Sequence, residues 1–262
     1  MKRTAVHRDP ELFPKEVRRY VVDGKLFDSS SSPQATVYYA DIEGGYFLKT
    51  AHEGALRHEA VMTSYFHGKG LASAVLHYGQ WNGRDWLLTA RVPGEDCTAA
   101  QYLNSPERLA TLLGERLYAL HELPCADCPV SDLTTSYLAT AKRNHGLGRH
   151  DLSFYTERYG DADVDDVYGI VRSQGSSLHA DVLLHGDYCL PNVILNDWKF
   201  SGFVDLDCAG VGDRHVDVFW ALWTLRFNLH TDAYGDRFLD AYGRDLIDEE
   251  RLRTVAAVEV FG

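Results

Sequence analysis

Lys49, Glu59, Asp187, Asn192 and Asp205 are the residues of this 262-residue chain whose types and spacing could do chemistry together. Lys49 ends the stretch YFLK, and Glu59 follows it ten residues later. Asp187 and Asn192 stand five residues apart in HGDYCLPN, and Asp205 comes thirteen residues after Asn192, in FVDLD. Phosphoryl transfer from ATP needs such a set. A lysine neutralises the α- and β-phosphates, and a helix carboxylate holds that lysine. One aspartate receives the proton of the acceptor hydroxyl, while an asparagine and a second aspartate hold magnesium against the phosphates. The transition state is loose, so these groups act by positioning and charge neutralisation more than by strong base catalysis. Taken singly, each reads as a surface charge or a turn residue. Their order and spacing make the case.

The elements that must position them are legible in outline. Residues SSSSPQATVYYADIEGGYFLKT alternate apolar and polar side chains about Glu43-Gly44-Gly45, which predicts a β-hairpin ending at Lys49. EGALRHEAVMTSYFHGKG has helical spacing and places Glu59 on a helix stopped by Gly68 and Gly70. HYGQWNGRDWLLTARV predicts a second hairpin turning at Asn82-Gly83. After Pro93-Gly94 the pattern becomes helical, with a helix start at Ser105-Pro106-Glu107. Two short strands interrupt it, VLLHGD feeding VILN, and FSGFVDLD, joined by Asn196-Asp197-Trp198-Lys199, and HVDVFWALWTLRF and DAYGDRFLDAYGRDL read as helices. The expected division is residues 1–92, a nucleotide-binding lobe including its hinge, and residues 93–262, a catalytic and acceptor-binding lobe.

Composition excludes several classes. The chain is 45% hydrophobic and 24% charged, as soluble globular proteins are. No apolar run approaches the roughly 20 residues that span a bilayer, and MKRTAVHRDPELF has no apolar core after its basic residues, so no secretory signal is expected. Five cysteines without regular spacing predict reduced thiols and a cytoplasmic protein. Cys125 and Cys128 form one CxxC, which reads as helix-end packing for want of two further zinc ligands. The net charge of −12 is uneven. Residues 1–145 hold 16 basic and 17 acidic residues, a net −1, and residues 146–262 hold 10 and 21, a net −11. That argues against nucleic acid as a partner and for a cationic small-molecule acceptor, although a solubilising surface would look the same.

HGDYCLPN resembles the HGDxxxxN signature of the aminoglycoside phosphotransferases and related small-molecule kinases. FSGFVDLDCAGVGDRHVD is similar to the strand and loop that follow it in the 3′-phosphotransferase branch. The resemblance covers nearly the whole chain. It implies an α+β, bilobal protein-kinase-like fold: a small antiparallel sheet lobe with one key helix, a larger helical lobe, and a nucleotide cleft between them. It implies ATP, or GTP, with Mg2+. Asp187 matches the family's catalytic aspartate, Asn192 and Asp205 its metal ligands, and Lys49 and Glu59 its phosphate-binding lysine and partner. Tyr38 matches a position whose ring lies against the adenine, and Ala90 and Val92 match connector positions that bind the base edge. His185 is expected to brace the loop. Ser31 and Ser32, in the stretch Ser29-Ser30-Ser31-Ser32-Pro33, stand where the nucleotide-covering loop runs.

The acceptor site follows less directly from the resemblance. Asp151, Glu157, Asp207, Glu259 and the terminal carboxylate of Gly262 are the candidates. Cys208 stands where the family commonly has an arginine, and Asp207 where it has a glycine. Thr224, Phe227 and Asn228 stand where relatives often carry acids. The expected reaction is ATP-dependent phosphorylation of an aminoglycoside hydroxyl of the kanamycin or neomycin type, at the 3′ position, by a monomer or weak dimer. A kinase of another small hydroxylated molecule and a nucleotide-binding module without catalysis stay open beside it.

Overall fold

The computed structural model describes residues 3–22, 24–29 and 31–262. Strand β1 (Arg3–Ala5), helix α1 (Arg18–Val22) and strand β2 (Lys25–Ser29) lead into β3 (Ala35–Asp41), β4 (Tyr46–His52) and helix α2 (Arg57–Gly68). Strands β5 (Val75–Trp81), β6 (Arg84–Ala90) and β7 (Glu95–Asp96) follow. Helices α3 (Ala100–Leu103), α4 (Pro106–His121), α5 (Thr134–Gly146), α6 (Ser153–Tyr159) and α7 (Val164–Gln174) come next. Strands β8 (Val182–Leu184), β9 (Val193–Asn196), β10 (Lys199–Phe203) and β11 (Gly210–Gly212) precede the last helices, α8 (His215–Leu229), α9 (Gly235–Tyr242) and α10 (Glu249–Glu259). No described helix is long and apolar enough to cross a membrane.

The chain packs as two units, Met1–Ala99 with Pro191–Cys208 and Ala100–Leu190 with Ala209–Gly262. The division at residue 92 suggested by the sequence is contiguous; the packing is not. The stretch carrying Asn192 and Asp205 joins the first unit because β9 pairs with β7, which lies just past the connector.

In the first unit six antiparallel strands run in the order β1-β2-β3-β4-β6-β5. Both predicted hairpins form. Glu43, Gly44, Gly45, Asn82 and Gly83 all take positive φ, as tight turns matched to strand twist require. Strand alternation then sorts the side chains. Leu26, Tyr38, Leu48, Trp86 and Leu88 bury one face against Phe13 and Val17. Ala51 and Leu87 bury the other against Leu56 and Ala60 at the start of α2. Each large apolar side chain sealed this way stabilises the sheet by roughly 1.5–3 kcal/mol. Lys49 pairs across the sheet with Val37 and Leu87, so it projects to the α2 face. A second, three-stranded sheet has the order β10-β9-β7.

The second unit is helical. Leu109, Leu113, Leu117 and Leu120 form the fully buried stripe of α4. Helix α8 is apolar nearly all round, and most of it is buried. Strands β8 and β11 pair antiparallel, with Leu184 opposite Gly210 and Val182 opposite Gly212. His215, at the start of α8, ties neighbouring segments together. Its Nδ1 donates to Asp213 Oδ1 at 2.6 Å, and its Nε2 accepts from the Asp248 amide at 2.9 Å, at the N-cap of α10.

Gly94 holds the turn that brings β7 beside β9. Its φ is +113°, and a Cβ there would be driven into the Leu195 carbonyl. Both facts oppose any other residue. Gly94→Ala is expected to destabilise the first unit by about 2 kcal/mol, read as a lower midpoint in thermal unfolding.

Candidate active site

Lys49 stands between two carboxylates. Its Nζ lies 2.8 Å from Glu59 Oε2 and 2.7 Å from Asp205 Oδ1. Strand β4 presents the ammonium, α2 presents Glu59 from its first turn, and Asp205 arrives 156 residues after Lys49. Burial alone would lower the lysine's pKa, but Glu59 and Asp205 outweigh it and hold Lys49 above its ordinary value, firmly charged. For Glu59 the balance falls the other way. Burial lifts it to about 7; the Lys49 charge opposes the rise, and Asp205 and Asp207 add to it.

Asn192 and Asp205 come together through strand register. Val193 pairs with Phe203, and the next residue pair closes with the Val204 amide donating to the Asn192 carbonyl at 3.0 Å. Asp205 is the residue after that pair. Its φ is +58°, a left-handed conformation that aspartate tolerates better than most residues but still at a cost. An amide oxygen and a carboxylate at one end of a hairpin are hard oxygen donors. Such a pair fits Mg2+, which takes one or two protein ligands and completes its shell with phosphates and water. Among the described residues no group of three or more His, Cys, Asp and Glu could hold a metal by itself.

Asp187 lies in the second unit, on a loop whose backbone is pinned by a residue outside the expected set. Asp217, fully buried on α8, accepts from the His185 amide at 2.8 Å and the Gly186 amide at 2.7 Å. His121 donates its Nε2 proton to Asp217 at 3.1 Å, and the Tyr242 hydroxyl meets His121 Nδ1 at 2.7 Å. The buried carboxylate thus has three donors. His185 is itself wholly buried and accepts from the Asp187 amide at 3.3 Å, the bracing role expected of it. The far end of the loop is held too, since the Leu190 amide donates to Thr224 at 3.2 Å. Asp217 could have been found in the sequence: a carboxylate inside HVDVFWALW must be buried, and a buried charge must be partnered.

Other expected residues fall elsewhere. Tyr38 does not share the Lys49 face. It pairs with Leu48, one register step away, so its ring packs edge-on against Phe13 at 5.6 Å in the opposite core. Val37 takes the position beside Lys49. The hydroxyls of Ser31 and Ser32 are engaged by the chain itself. Ser31 donates to Asp28 and accepts from the Val37 amide, and Ser32 accepts from the amides of Gln34 and Ala35. They shape the turn into β3 while staying exposed, and Ser30 lies outside the described residues. The Ala90 amide donates to the Ala74 carbonyl at 3.1 Å, so that donor serves the sheet, and Val92 is buried.

The five acceptor candidates also separate. Asp151 and Glu157 line one cavity of about 560 Å³ in the second unit. Asp207 belongs to the first unit, where its charge acts on Glu59. Glu259 is buried, its Oε1 accepting from Tyr137 at 2.8 Å and from Trp220 at 3.0 Å. Burial raises it to about 7, against the pull of those two donors, and the Asp187 charge adds to the rise. Gly262 is exposed at the chain end and does not line that cavity.

Removing the Asp217 carboxylate leaves two loop amides and a histidine donor without their acceptor. Asp217→Ala is expected to cost about 3 kcal/mol or more of stability, as breaking a buried charged network does. Asp187→Ala, at a partly buried side chain, should lower the unfolding midpoint far less. Denaturant unfolding of both variants checks the contrast.

Comparison with known proteins agrees with this architecture. Residues 24–255 match the phosphotransferase enzyme family. A probable aminoglycoside 3′-phosphotransferase of Lactococcus lactis is 47% identical over 252 residues, 96% of each chain. An aminoglycoside 3′-phosphotransferase of Niallia circulans is 32% identical over 218 residues, covering 82% of this chain and 83% of that one. Among solved structures, an aminoglycoside 3′-phosphotransferase of type VIII shares the fold with a TM-score of 0.71 at 24% identity, over 90% of this chain and 91% of the other. A Streptomyces rimosus aminoglycoside phosphotransferase, in complex with ADP and streptomycin, gives 0.70 at 21% identity, over 86% and 90%. Matched over most of its length by a phosphotransferase family and nearly end to end by a curated relative, the chain belongs to the aminoglycoside phosphotransferase family of kinases.

Proposed function

We propose that this enzyme transfers the γ-phosphate of ATP to the 3′-hydroxyl of an aminoglycoside of the kanamycin or neomycin type, and so confers resistance. The observation that carries the reading is the Lys49 ammonium fixed between Glu59 and Asp205. Support for the acceptor comes from the relatives, which are named for 3′-phosphotransfer to aminoglycosides. Support for the nucleotide comes from the S. rimosus neighbour, which holds ADP.

In this reading Lys49 meets the α- and β-phosphates, and Glu59 keeps it from swinging away. Asn192 and Asp205 hold Mg2+, which when bound neutralises phosphate charge. Asp187 accepts the proton of the attacking hydroxyl, and the Asp217 network keeps its backbone in place. A positioned proton acceptor contributes roughly 10²–10⁴ in rate. These groups act on the phosphates, which ATP and GTP share. The remaining acceptor groups of the reading are Asp151 and Glu157.

The test is ADP release by the purified protein with a panel of aminoglycosides, with the phosphorylated hydroxyl located by NMR. Turnover is expected on 3′-hydroxyl acceptors and none on 3′-deoxy analogues. Asp187→Ala should lower kcat by roughly 10³-fold. Undiminished turnover in that variant would sink the proposal, and so would turnover confined to other small hydroxylated molecules.

Nucleotide use should also depend on pH through Glu59. The carboxyl sits at about 7, above its ordinary 4.5. The fold therefore favours its protonated form. That contribution to stability is full below about 4.5 and is lost as pH rises through about 7. Anchoring of Lys49 runs the opposite way, since only ionised Glu59 holds the ammonium. The KM for ATP is expected to fall as pH rises through about 7 and then level off, and Glu59→Gln should remove that inflection while ATP's own titration stays.

A further inference from the structure

The cavity that Asp151 and Glu157 line has an aromatic wall. Trp223 and Phe227 stand one turn apart on α8, and their rings stack at 4.9 Å with 11° between planes. Trp223 is backed in turn by Trp220 at 5.5 Å and Phe154 at 6.1 Å. Phe227 itself is 61% exposed, so one face of its ring is covered by Trp223 and the other is open. Trp220 continues the cluster inward to Glu259, whose carboxyl feels the Asp187 charge. The rings therefore run from buried Glu259 out to the cavity wall, all within one packed unit.

The carboxylates of this cavity are less available than their number suggests. Arg226 is paired with Glu157 and lies 3.8 Å from Asp232, and both acids line the same cavity. Asp151 accepts from the Ser153 amide at 3.0 Å. Part of the charge that a polycation would meet here is thus already shared. An open aromatic face offers two further attractions that salt bridges do not remove. Protonated amines are drawn to its π-cloud, and the apolar C–H face of a sugar ring packs flat against it. Because the stack on Trp223 already fixes the Phe227 ring, little side-chain entropy is lost on binding.

We propose that Phe227, held flat by Trp223, is the specificity-determining platform on which an amino-sugar ring of the acceptor stacks, doing the work that extra carboxylates would otherwise do. The proposal rests on the acceptor reading above and adds the surface that selects the ring. It favours acceptors that present an amine beside an unsubstituted ring face over acceptors whose ring faces are blocked.

The experiment compares Phe227→Ala, Phe227→Leu and Phe227→Tyr in the full chain, by steady-state kinetics with kanamycin and by tryptophan-fluorescence titration with kanamycin in the presence of ADP. Alanine and leucine are both expected to raise the acceptor KM and Kd roughly tenfold, with the KM for ATP where it was, and tyrosine is expected to restore wild-type values. Leucine matching wild type would show that apolar bulk suffices and would overturn the platform, as would an alanine variant with unaltered KM. Should the wild type bind kanamycin without phosphorylating it, the reaction proposed above fails, while the titrations still decide for or against the ring. Absence of any binding to the wild type overturns both.

Discussion

One ammonium organises the first unit. Lys49 is drawn from β4 toward a carboxylate of α2 and a carboxylate that follows β10, and its two ion pairs are 2.8 and 2.7 Å long. Exposed ion pairs contribute little to stability, and buried ones rarely repay their desolvation. The arrangement is therefore better understood as positioning. Two acids flanking one lysine leave the group near neutral or negative, while burial holds Glu59 at about 7, near the point where it would release its grip. Everything else in this unit serves the geometry. The strand register aims Lys49 at α2, and the β9–β10 hairpin carries Asn192 and Asp205 to one end.

The second unit solves a different problem with a different charge. The loop through His185, Gly186 and Asp187 has backbone donors that no strand partner satisfies, and unpaired buried amides are expensive. Asp217 supplies two acceptors from a helix that is otherwise apolar, and His121 and Tyr242 fix its orientation. Asp213 does similar work nearby, accepting from the His179 amide at 2.8 Å and from His215. A loop built this way is rigid without being regular.

How much of this was legible depends on whether a feature is local. Hairpins turning at Glu43-Gly44-Gly45 and Asn82-Gly83, the helix bearing Glu59 and the start of α4 at Pro106 are written in short-range pattern, and they form where expected. Tyr38 shows where pattern falls short. The alternation of ATVYY says that neighbours face apart, but which of them joins Lys49 depends on pairing Val37 with Lys49 across the turn. Ser31 and Ser32 are expected in a nucleotide-covering loop, and the hydrogen bonds they make within their own turn, as serines ahead of a strand commonly do, are not visible in the sequence pattern. The union of 191–208 with the first unit depends on β7 and β9, two very short strands whose pairing is non-local, and no window of sequence contains it.

The uneven charge is the instructive case. A net −11 over residues 146–262 invites the picture of an acidic cleft awaiting a polycation. Residue by residue, much of that charge is committed to structure. Asp163 and Asp248 cap α7 and α10, Asp213 and Asp217 hold buried networks, and Asp240 pairs with Arg244. Glu157 answers Arg226, and Glu259 is buried among donors. Net charge sets a long-range field that draws cations to this half of the chain. It does not choose among them. Choice belongs to groups at contact distance, and there the aromatic wall of α8 is as conspicuous as the acids beside it. Thr224 and Phe227 stand one turn apart on that helix. One of them holds the loop that leads to Asn192, and the other is a largely exposed ring.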